Sequence, residues 1–547
     1  MGGRVDSHRP ALSERSWSLL AYGLPLVFVA AFFVFPLAAI VERGLRSSGG
    51  QSTLDVLADP MTRDVLWFTA WQAALSTVLT IVVALPASYV LGRYEFRGRS
   101  VARALLVVPF VLPTVVVALA LLAVLPDRLE RGPWAILVAH VFFNVAVVVR
   151  IVGTFWAGLD PRVSEAAATL GAGPSRRLRE VTLPLLAPSL TAAAAIVFLF
   201  SFTSFGVVLI LGGPAYATLE VEIYSQAVRA FDLHAAAVLS IVQLLAVGLT
   251  VAVALRLERR LATRSAGRRE RDVLRPPRTK KEKAVVATSL GSLGLLLGIP
   301  LAAVVERSLA AGDGHSFEAY RALTDSTASL LVEPWYAIVN SLVYAAAATA
   351  IAVVVGGLAA LAVAEGGGEK TARSAAGLLD GLLMLPLGAS AVMLGFGFVI
   401  AFDEGWLDFR SAPWIVPVVQ ALVAIPFVVR IVVPTLRAID PRQREAAALL
   451  GASPARVRRE IDLRIGARAL TVAAGFAFAI SLGEFGATVF LARPDSPTLP
   501  VAIFRFLGRP GELNLAQAYA LATILMVVTA ISVLVVERAG RRPLGWI

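Results

Sequence analysis

Long apolar stretches alternate with short polar segments along the whole chain. Twelve stretches are long and apolar enough to cross a bilayer as α-helices, which takes about 20 residues each. They cover residues 17–41, 65–91, 104–125, 133–157, 185–211, 233–255, 284–305, 336–364, 375–402, 413–436, 467–492 and 515–536. The pattern predicts an all-α membrane protein with twelve transmembrane helices, six in each half of the chain.

One polar pattern occurs twice, 280 residues apart. The first copy contains Asp160, Pro161, Arg162, Glu165, Ala166, Ala167, Ala168, Leu170, Gly171 and Ala172, and the second contains Asp440, Pro441, Arg442, Glu445, Ala446, Ala447, Ala448, Leu450, Gly451 and Ala452. An ungapped comparison of 150–184 with 430–464 gives 18 identities in 35 positions. The chain is therefore a tandem duplication. Because six helices per half is an even number, both halves keep the same orientation and form a parallel repeat.

The duplication divides the chain into two units and a linker. Residues 1–255 form the first unit, with its repeated loop at 158–184, and residues 284–547 form the second, with its loop at 437–464. Residues 256–283 carry 12 Lys or Arg against 4 Asp or Glu, which predicts a basic linker in the cytoplasm. If both termini are cytoplasmic, most of the remaining Lys and Arg also lie on the cytoplasmic side of the membrane. The positive-inside rule supports this orientation.

Each repeated loop has the signals of a short helix followed by a second one. Asp160 is a good N-cap, Pro161 suits the first helical position, and Gly171 suits a left-handed end. Pro174 and Pro454 can each start another helix soon afterwards. Because both halves keep this polar sequence while other loops differ, we expect it to dock a partner shared by both halves.

The repeated loop resembles the EAA loop in the permeases of binding-protein-dependent ABC importers. The residues that carry the resemblance are Glu165, Ala166, Ala167, Gly171, Val181, Leu183 and Pro184, and then Glu445, Ala446, Ala447, Gly451, Ile461 and Leu463. The second copy departs from the family pattern because Arg464 replaces the proline. The resemblance covers nearly the whole chain and implies permease units of the type I importer kind.

In that family the EAA loop forms a coupling helix that seats in the ATPase subunit. The resemblance assigns ATPase coupling to Asp160, Glu165, Ala166, Ala167, Gly171, Asp440, Glu445, Ala446, Ala447 and Gly451. It implies as partners two copies of an ABC ATPase subunit, which bind ATP-Mg, an extracytoplasmic solute-binding protein and the lipid bilayer of a bacterial inner membrane. The chain itself would bind no cofactor and would not be an enzyme.

Two fused six-helix units are typical of the thiamine and iron(III) branch of these permeases. The segments Ala139–Asn144 and Thr218–Tyr224 look most like thiamine permeases. Gly483–Thr488 is also similar to molybdate and sulfate permeases. A thiamine-like solute is favoured, with iron(III) next. A permease for molybdate-type or sulfate-type anions and an ion-coupled secondary transporter remain as alternatives.

Several kinds of chemistry are not expected from this sequence. The chain has no cysteine, which excludes disulfides and thiolate metal sites, and its four histidines are too dispersed to predict a metal site. The nearest approach to a phosphate-binding loop, 366–371, has an acidic residue before its lysine. The net charge of +12 is concentrated in the linker, so we do not expect a nucleic-acid partner.

Polar residues inside the predicted helices are candidates for a substrate path. They are His140, Asn144, Ser201, Ser204 and Glu484. Glu484 corresponds to Ser204 of the other half, and its charge would attract a cationic substrate if it faced a central cavity. The alternative is a hydrogen-bonded structural carboxylate. His140 and Asn144 lie one helical turn apart, so they either line a cavity together or pair between packed helices.

Overall fold

The computed structural model describes residues 17, 19–46, 52–213, 215–261, 274–311, 314–325, 330–365, 370–403 and 412–540. Parts of three sequence regions discussed above lie outside these residues. They are 262–273 of the basic linker, 366–369 of the phosphate-loop comparison, and both chain termini.

The helices of the first sequence half are mostly long and begin at recognisable signals. They are α1 (Leu19–Leu45), α2 (Thr53–Ala58), α3 (Pro60–Arg93), α4 (Arg99–Val111), α5 (Thr114–Leu122), α6 (Pro133–Ala157), α7 (Pro161–Thr169), α8 (Pro174–Phe202), α9 (Gly206–Leu211), α10 (Leu219–Tyr224) and α11 (Leu233–Leu261). Proline occupies the first position of α3, α6, α7 and α8, where its missing N–H costs no helical hydrogen bond.

The second sequence half repeats this order and adds a small β-ribbon. Its elements are α12 (Lys280–Leu309), β1 (Ala310–Ala311), β2 (Gly314–His315), α13 (Glu318–Arg321), α14 (Trp335–Glu365), α15 (Lys370–Gly388), α16 (Ala391–Ala401), α17 (Ile415–Arg437), α18 (Pro441–Leu449), α19 (Pro454–Gly483), α20 (Thr488–Leu491), α21 (Leu499–Leu507) and α22 (Glu512–Gly540). The two strands pair antiparallel, with Ala310 opposite His315. Helix α12 begins at a capping box formed by Thr279 and Glu282.

The predicted membrane class is confirmed, but the predicted number of spans is not. Ten helices in the described residues are long and apolar enough to cross a membrane, or eleven if one bent pair counts as a single span. The two apolar stretches that differ are 104–125 and 375–402, which occupy corresponding places in the two halves. The first is broken between α4 and α5, where Pro113 cannot donate a helical hydrogen bond. The second bends by 96° between α15 and α16, where Ser390 caps the new helix.

One compact unit is built mainly from the second sequence half. It consists of 1–40, 336–498 and 527–547. Helices α17 and α19 pack against each other within it. Helix α1 belongs to this unit, and its Phe32 ring lies 6.2 Å from the Phe398 ring of α16 and 6.3 Å from the Trp414 ring.

The other compact unit is built mainly from the first sequence half. It consists of 41–335 and 499–526. Its core lies among α3, α6 and α8, where small residues let the backbones approach closely. A Cβ on Gly92 of α3 would lie only 2.8 Å from the carbonyl oxygen of Gly153 on α6.

The compact units do not follow the division into sequence repeats. The first helix of each sequence half is grouped with the other half: α1 belongs with residues 336–498, and α12 packs on α3 and α5 of the first half. Each compact unit therefore contains residues from both sequence halves.

Candidate functional site

The two repeated loops form helices that begin in the same way. We name residues 158–184 loop one and residues 437–464 loop two. In loop one, the carboxylate of Asp160 accepts a hydrogen bond of 3.0 Å from the Arg162 N–H, and Asp440 does the same for Arg442 in loop two, also at 3.0 Å. Both aspartates are therefore N-caps, as the sequence predicts.

The two loop helices also end in the same way. Gly171 and Gly451 adopt the left-handed conformation, with φ of +84° and +81°. In loop one, the Ala172 N–H donates to the Ala167 carbonyl at 3.0 Å and the Gly171 N–H donates to Ala168 at 3.0 Å. Loop two has the equivalent bonds. This pairing is a Schellman motif, so the predicted glycine ends are confirmed in both copies.

Both loop helices lie at the protein surface. No residue of α7 or α18 is buried. Leu170 is 88% exposed, and Leu449 and Leu450 are 89% and 88% exposed. Glu165, Ala166, Glu445 and Ala446 are exposed too, while Ala167 and Ala447 are half-buried. Exposed leucines beside alanines form a small apolar surface that another protein can cover.

Each loop leads into its next long helix through the same irregular turn. Residues Leu178–Thr182 and Arg458–Asp462 are both π-helical. Pro184 follows the first turn and Arg464 follows the second, so the proline is not what produces this geometry. An exposed ion pair links the residues before each turn to the turn itself, Arg176–Glu180 at 2.8 Å and Arg456–Glu460 at 3.1 Å.

One ion pair is present in loop two and has no counterpart in loop one. The Arg444 guanidinium donates to the Asp462 carboxylate at 2.8 Å and also to the Leu436 carbonyl at 3.2 Å. The Asp462 side chain is only 4% exposed. Loop one has Ser164 and Thr182 at these positions. We name the Arg444–Asp462 pair the loop-two brace. Sequence reasoning missed it, although both of its positions differ between copies that otherwise match closely.

Four of the predicted path residues lie in the compact unit that contains the first half. His140, Asn144, Ser201 and Ser204 are all buried. The His140 Nδ1 atom lies 2.9 Å from the Ser76 hydroxyl, and the Gln72 amide donates to the Ser201 carbonyl at 2.8 Å. Gln72 and Ser76, one turn apart on α3, therefore connect α3 with both α6 and α8.

This polar cluster has unused hydrogen-bonding capacity. Four buried side-chain atoms have no hydrogen-bond partner among the described residues: Gln72 Oε1, His140 Nε2, Asn144 Oδ1 and Ser201 Oγ. Such atoms usually bind ordered water or a ligand. Sequence reasoning missed Gln72 and Ser76. A signal was available, because Thr69, Gln72, Ser76 and Thr80 follow helical spacing along one face of α3.

The Glu484 carboxylate caps a short helix. It accepts hydrogen bonds from the Ala487 N–H at 2.7 Å, the Thr488 N–H at 3.0 Å and the Thr488 hydroxyl at 2.8 Å. Its side chain is buried, with the residue 7% exposed. These contacts fit the structural-carboxylate alternative. A role for Glu484 in attracting substrate stays a prediction.

Comparison with known families identifies two matching regions in the chain. Residues 84–265 and 352–542 each match the model of the binding-protein-dependent transport system inner membrane component. Each match contains one of the two loops. The matched residues together make up more than half of the chain.

Several proteins are similar along most of the chain. The thiamine transport system permease protein of Brucella abortus (strain 2308) is 30% identical over 558 residues, which covers 98% of both chains. The corresponding protein of Escherichia coli (strain K12) is 28% identical over 81% of this chain and 83% of its own length. The sulfate transport system permease protein CysT of Escherichia coli (strain K12) is 32% identical over 42% of this chain and 87% of its own length.

Proposed function

The chain belongs to the family of binding-protein-dependent transport system inner membrane components, and on this premise we propose that it imports a thiamine-like solute. It is the permease of an ABC importer, with two permease units fused in one chain.

The pair of matched loop helices is the observation that carries the coupling proposal. Loop one and loop two share the aspartate cap, the left-handed glycine and the exposed leucine. A helix without buried residues gains no stability from an apolar core, so the same exposed shape in both halves favours docking to a partner. Two such helices support the docking of two ATPase copies, one on each loop.

Membership of the family implies the remaining partners. The loops and the linker would face the cytoplasm together with both termini, and a solute-binding protein would deliver the solute to the opposite face. ATP-Mg would bind to the partner ATPases, where hydrolysis takes place, and this chain would hold no cofactor. Transport would then be a shift between two conformations, because ATP binding favours the state in which the two ATPases close.

Thiamine is the favoured solute because of the similar proteins. The thiamine transport permeases of Brucella abortus and Escherichia coli match 98% and 81% of this chain, whereas the sulfate permease matches only 42% of it. A sulfate-type anion is the second candidate on that observation. Iron(III), which the sequence pattern also suggests, stays a prediction.

A pull-down assay tests the coupling proposal. Glu165 and Glu445 are exposed on the loop helices, and reversing both charges should disrupt docking without disturbing the protein's own packing. We expect the Glu165→Lys, Glu445→Lys double variant to retain less than about a tenth of the ATPase that wild type retains, since charge reversal at an interface costs several kcal/mol. Glu318→Lys, an exposed carboxylate outside both loops, is the matched control. Equal retention by wild type and the double variant would refute docking at these loops.

Uptake by proteoliposomes containing the assembled importer tests the solute. We expect ATP-dependent accumulation of radiolabelled thiamine that excess unlabelled thiamine abolishes and excess sulfate does not. Competition by sulfate alone would favour the second candidate. In the same assay, an apparent affinity of Glu484→Gln equal to wild type would remove Glu484 from the substrate path.

A further inference from the structure

A charged and aromatic cluster joins the start of the first helix to loop two. The Trp17 Nε1–H donates to the Glu365 carboxylate at 3.3 Å. The Arg458 guanidinium lies 4.7 Å from the centre of the Trp17 ring and 4.0 Å from the Glu365 carboxylate. Each of these three residues therefore contacts the other two. We name Trp17, Glu365 and Arg458 the latch.

The latch reaches directly into loop two. Arg458 is the first residue of the π-helical turn between α18 and the long part of α19, four residues before Asp462 of the loop-two brace. Its side chain is only 15% exposed. A guanidinium held on an aromatic face and beside a carboxylate loses most of its freedom, so the latch fixes the turn at one point.

Glu365 is well placed to act as the centre of the latch. It is the last residue of α14, and the preceding carbonyls of α14 hold two neighbouring helices. The Tyr22 hydroxyl of α1 donates to the Ala362 carbonyl at 2.9 Å, and Arg437 at the end of α17 donates to the Val363 carbonyl at 3.5 Å. The end of α14 thus connects α1, α17 and loop two.

Loop one has no equivalent of these side chains. Leu178 occupies the position that corresponds to Arg458, and Arg93 ends α3 where Glu365 ends α14. The residue ahead of α12 that contacts the end of α3 is Arg275. It lies over the Tyr94 ring at 5.3 Å and pairs with Glu282 at 2.6 Å, and neither partner belongs to loop one.

We propose that Trp17 is a positioning residue for loop two: through Glu365 and Arg458 it lets the first helix of the chain set the position of the second coupling loop. This inference rests on the proposed coupling function of the loops. The first sequence half would thereby act on the coupling loop of the second half. The latch would then affect the number of ATP molecules hydrolysed per solute transported. Trp17 itself need not contact the ATPase.

Interfacial anchoring is the alternative role for a tryptophan at the end of an apolar helix. An anchor needs its ring among lipid headgroups, and its replacement would affect the whole helix rather than loop two. The half-buried ring of Trp17 instead has the Arg458 guanidinium over one face, and its Nε1–H is bonded to Glu365. The two roles therefore differ in where a substitution has its effect.

Hydrogen exchange measured by mass spectrometry on the full chain in nanodiscs tests the proposal. In Trp17→Ala, we expect amides of 454–464 to exchange about tenfold faster than in wild type, because a cation–π contact and a hydrogen bond are lost together. Amides of 174–184 should be unchanged. Trp67→Ala, at a tryptophan that is 71% exposed on α3, is the matched control and should alter neither segment.

Two conservative variants keep the test decisive if Trp17→Ala does not fold. Trp17→Phe retains a ring for Arg458 but loses the Nε1 donor, and Glu365→Gln removes the carboxylate charge. Each should accelerate exchange in 454–464 by about threefold. Unchanged exchange in both variants, or equal acceleration in 174–184, would overturn the proposal.

A second readout separates this proposal from the proposed function. In the assembled importer, each latch variant should raise the number of ATP molecules hydrolysed per solute transported by at least about twofold, while the amount of ATPase retained in a pull-down stays at the wild-type level. An unchanged ratio would overturn the positioning role. Failure of wild type to retain the ATPase would refute the coupling function, whatever the exchange data show.

Discussion

Loop one and loop two share a backbone but differ in what holds them in place. The caps and glycine ends match bond for bond. Only loop two has the Arg444–Asp462 pair and the contact of Arg458 with Trp17 and Glu365. Local signals within the repeat therefore set the helix, and residues outside the shared pattern set how firmly it is held.

In the first half, the corresponding contacts lie before loop one and not within it. Arg275 from the linker's end covers Tyr94, whose hydroxyl lies 3.3 Å from the Tyr89 hydroxyl, and Tyr89 packs on Trp156 just before loop one at 5.3 Å. Burial, together with the bond to Tyr89, raises the pKa of Tyr94, so this contact does not titrate near neutral pH. The linker therefore supports the base of loop one, whereas the latch contacts loop two itself.

Removing one partner of the loop-two ion pair should have the largest effect on the difference in stability between the two loops. Asp462→Ala would leave the charge of Arg444 without its buried carboxylate partner. We expect a loss of about 2 kcal/mol in the free energy of opening loop two, below the value for a fully buried pair because Arg444 is 32% exposed. Hydrogen exchange of 441–464 measures it. Thr182→Ala in loop one is the matched control, and equal effects of the two substitutions would contradict the difference between the loops.

The glycine ends offer a test in which the loops should behave alike. Gly171→Ala and Gly451→Ala each place a side chain at positive φ, while the space around both glycines is open. The cost is therefore backbone strain alone, about 1 kcal/mol in each loop. Exchange of the last turns of α7 and α18 measures it. A cost twice as large in one loop would show that the shared backbone is not equally stable in both.

Transferring the brace should make loop one resemble loop two. The double variant Ser164→Arg, Thr182→Asp places both partners at the corresponding positions. We expect exchange in 161–172 to slow by about twofold to fivefold, the range for a partly exposed ion pair. Each single variant serves as a control and should not slow exchange. If the double variant also leaves it unchanged, the pair is not what distinguishes the loops.

The exposed leucines should affect partner binding with little effect on stability. Leu170→Ser and Leu450→Ser alter side chains that are 88% exposed, so the free energy of unfolding should change by less than about 0.5 kcal/mol. ATPase retention should fall by severalfold in both variants, because each loses apolar contact area. Pull-down at several ATPase concentrations measures this effect. A large drop in thermal stability would show that the leucines pack within this protein instead.

The sequence carried the information for the loop helices but not for their surroundings. Asp160 and Gly171 cap and end a helix through bonds to residues close in sequence, so their spacing predicts where the helix begins and ends. Arg444 and Asp462 are 18 positions apart, and nothing local indicates that they meet. The latch is harder still to predict, because Trp17 and Arg458 meet only through the grouping of α1 with the second half.

The predicted count of twelve spans is not confirmed in the described residues for a related reason. Apolar composition predicts burial in a membrane, yet it does not distinguish a straight helix from one broken at Pro113 or at Ser390. The path residues show a similar limit. The apolar pattern places His140 within a predicted helix, but its pairing with Ser76 depends on how α3 packs against α6.

Hydrogen exchange of the wild-type chain alone, in nanodiscs without ATPase, tests the unequal support of the loops most directly. After correction for intrinsic rates, amides of 441–452 should exchange about tenfold more slowly than those of 161–172, because the ion pair and the latch both act on loop two. Equal rates in the two segments, or slower exchange in loop one, would contradict the account.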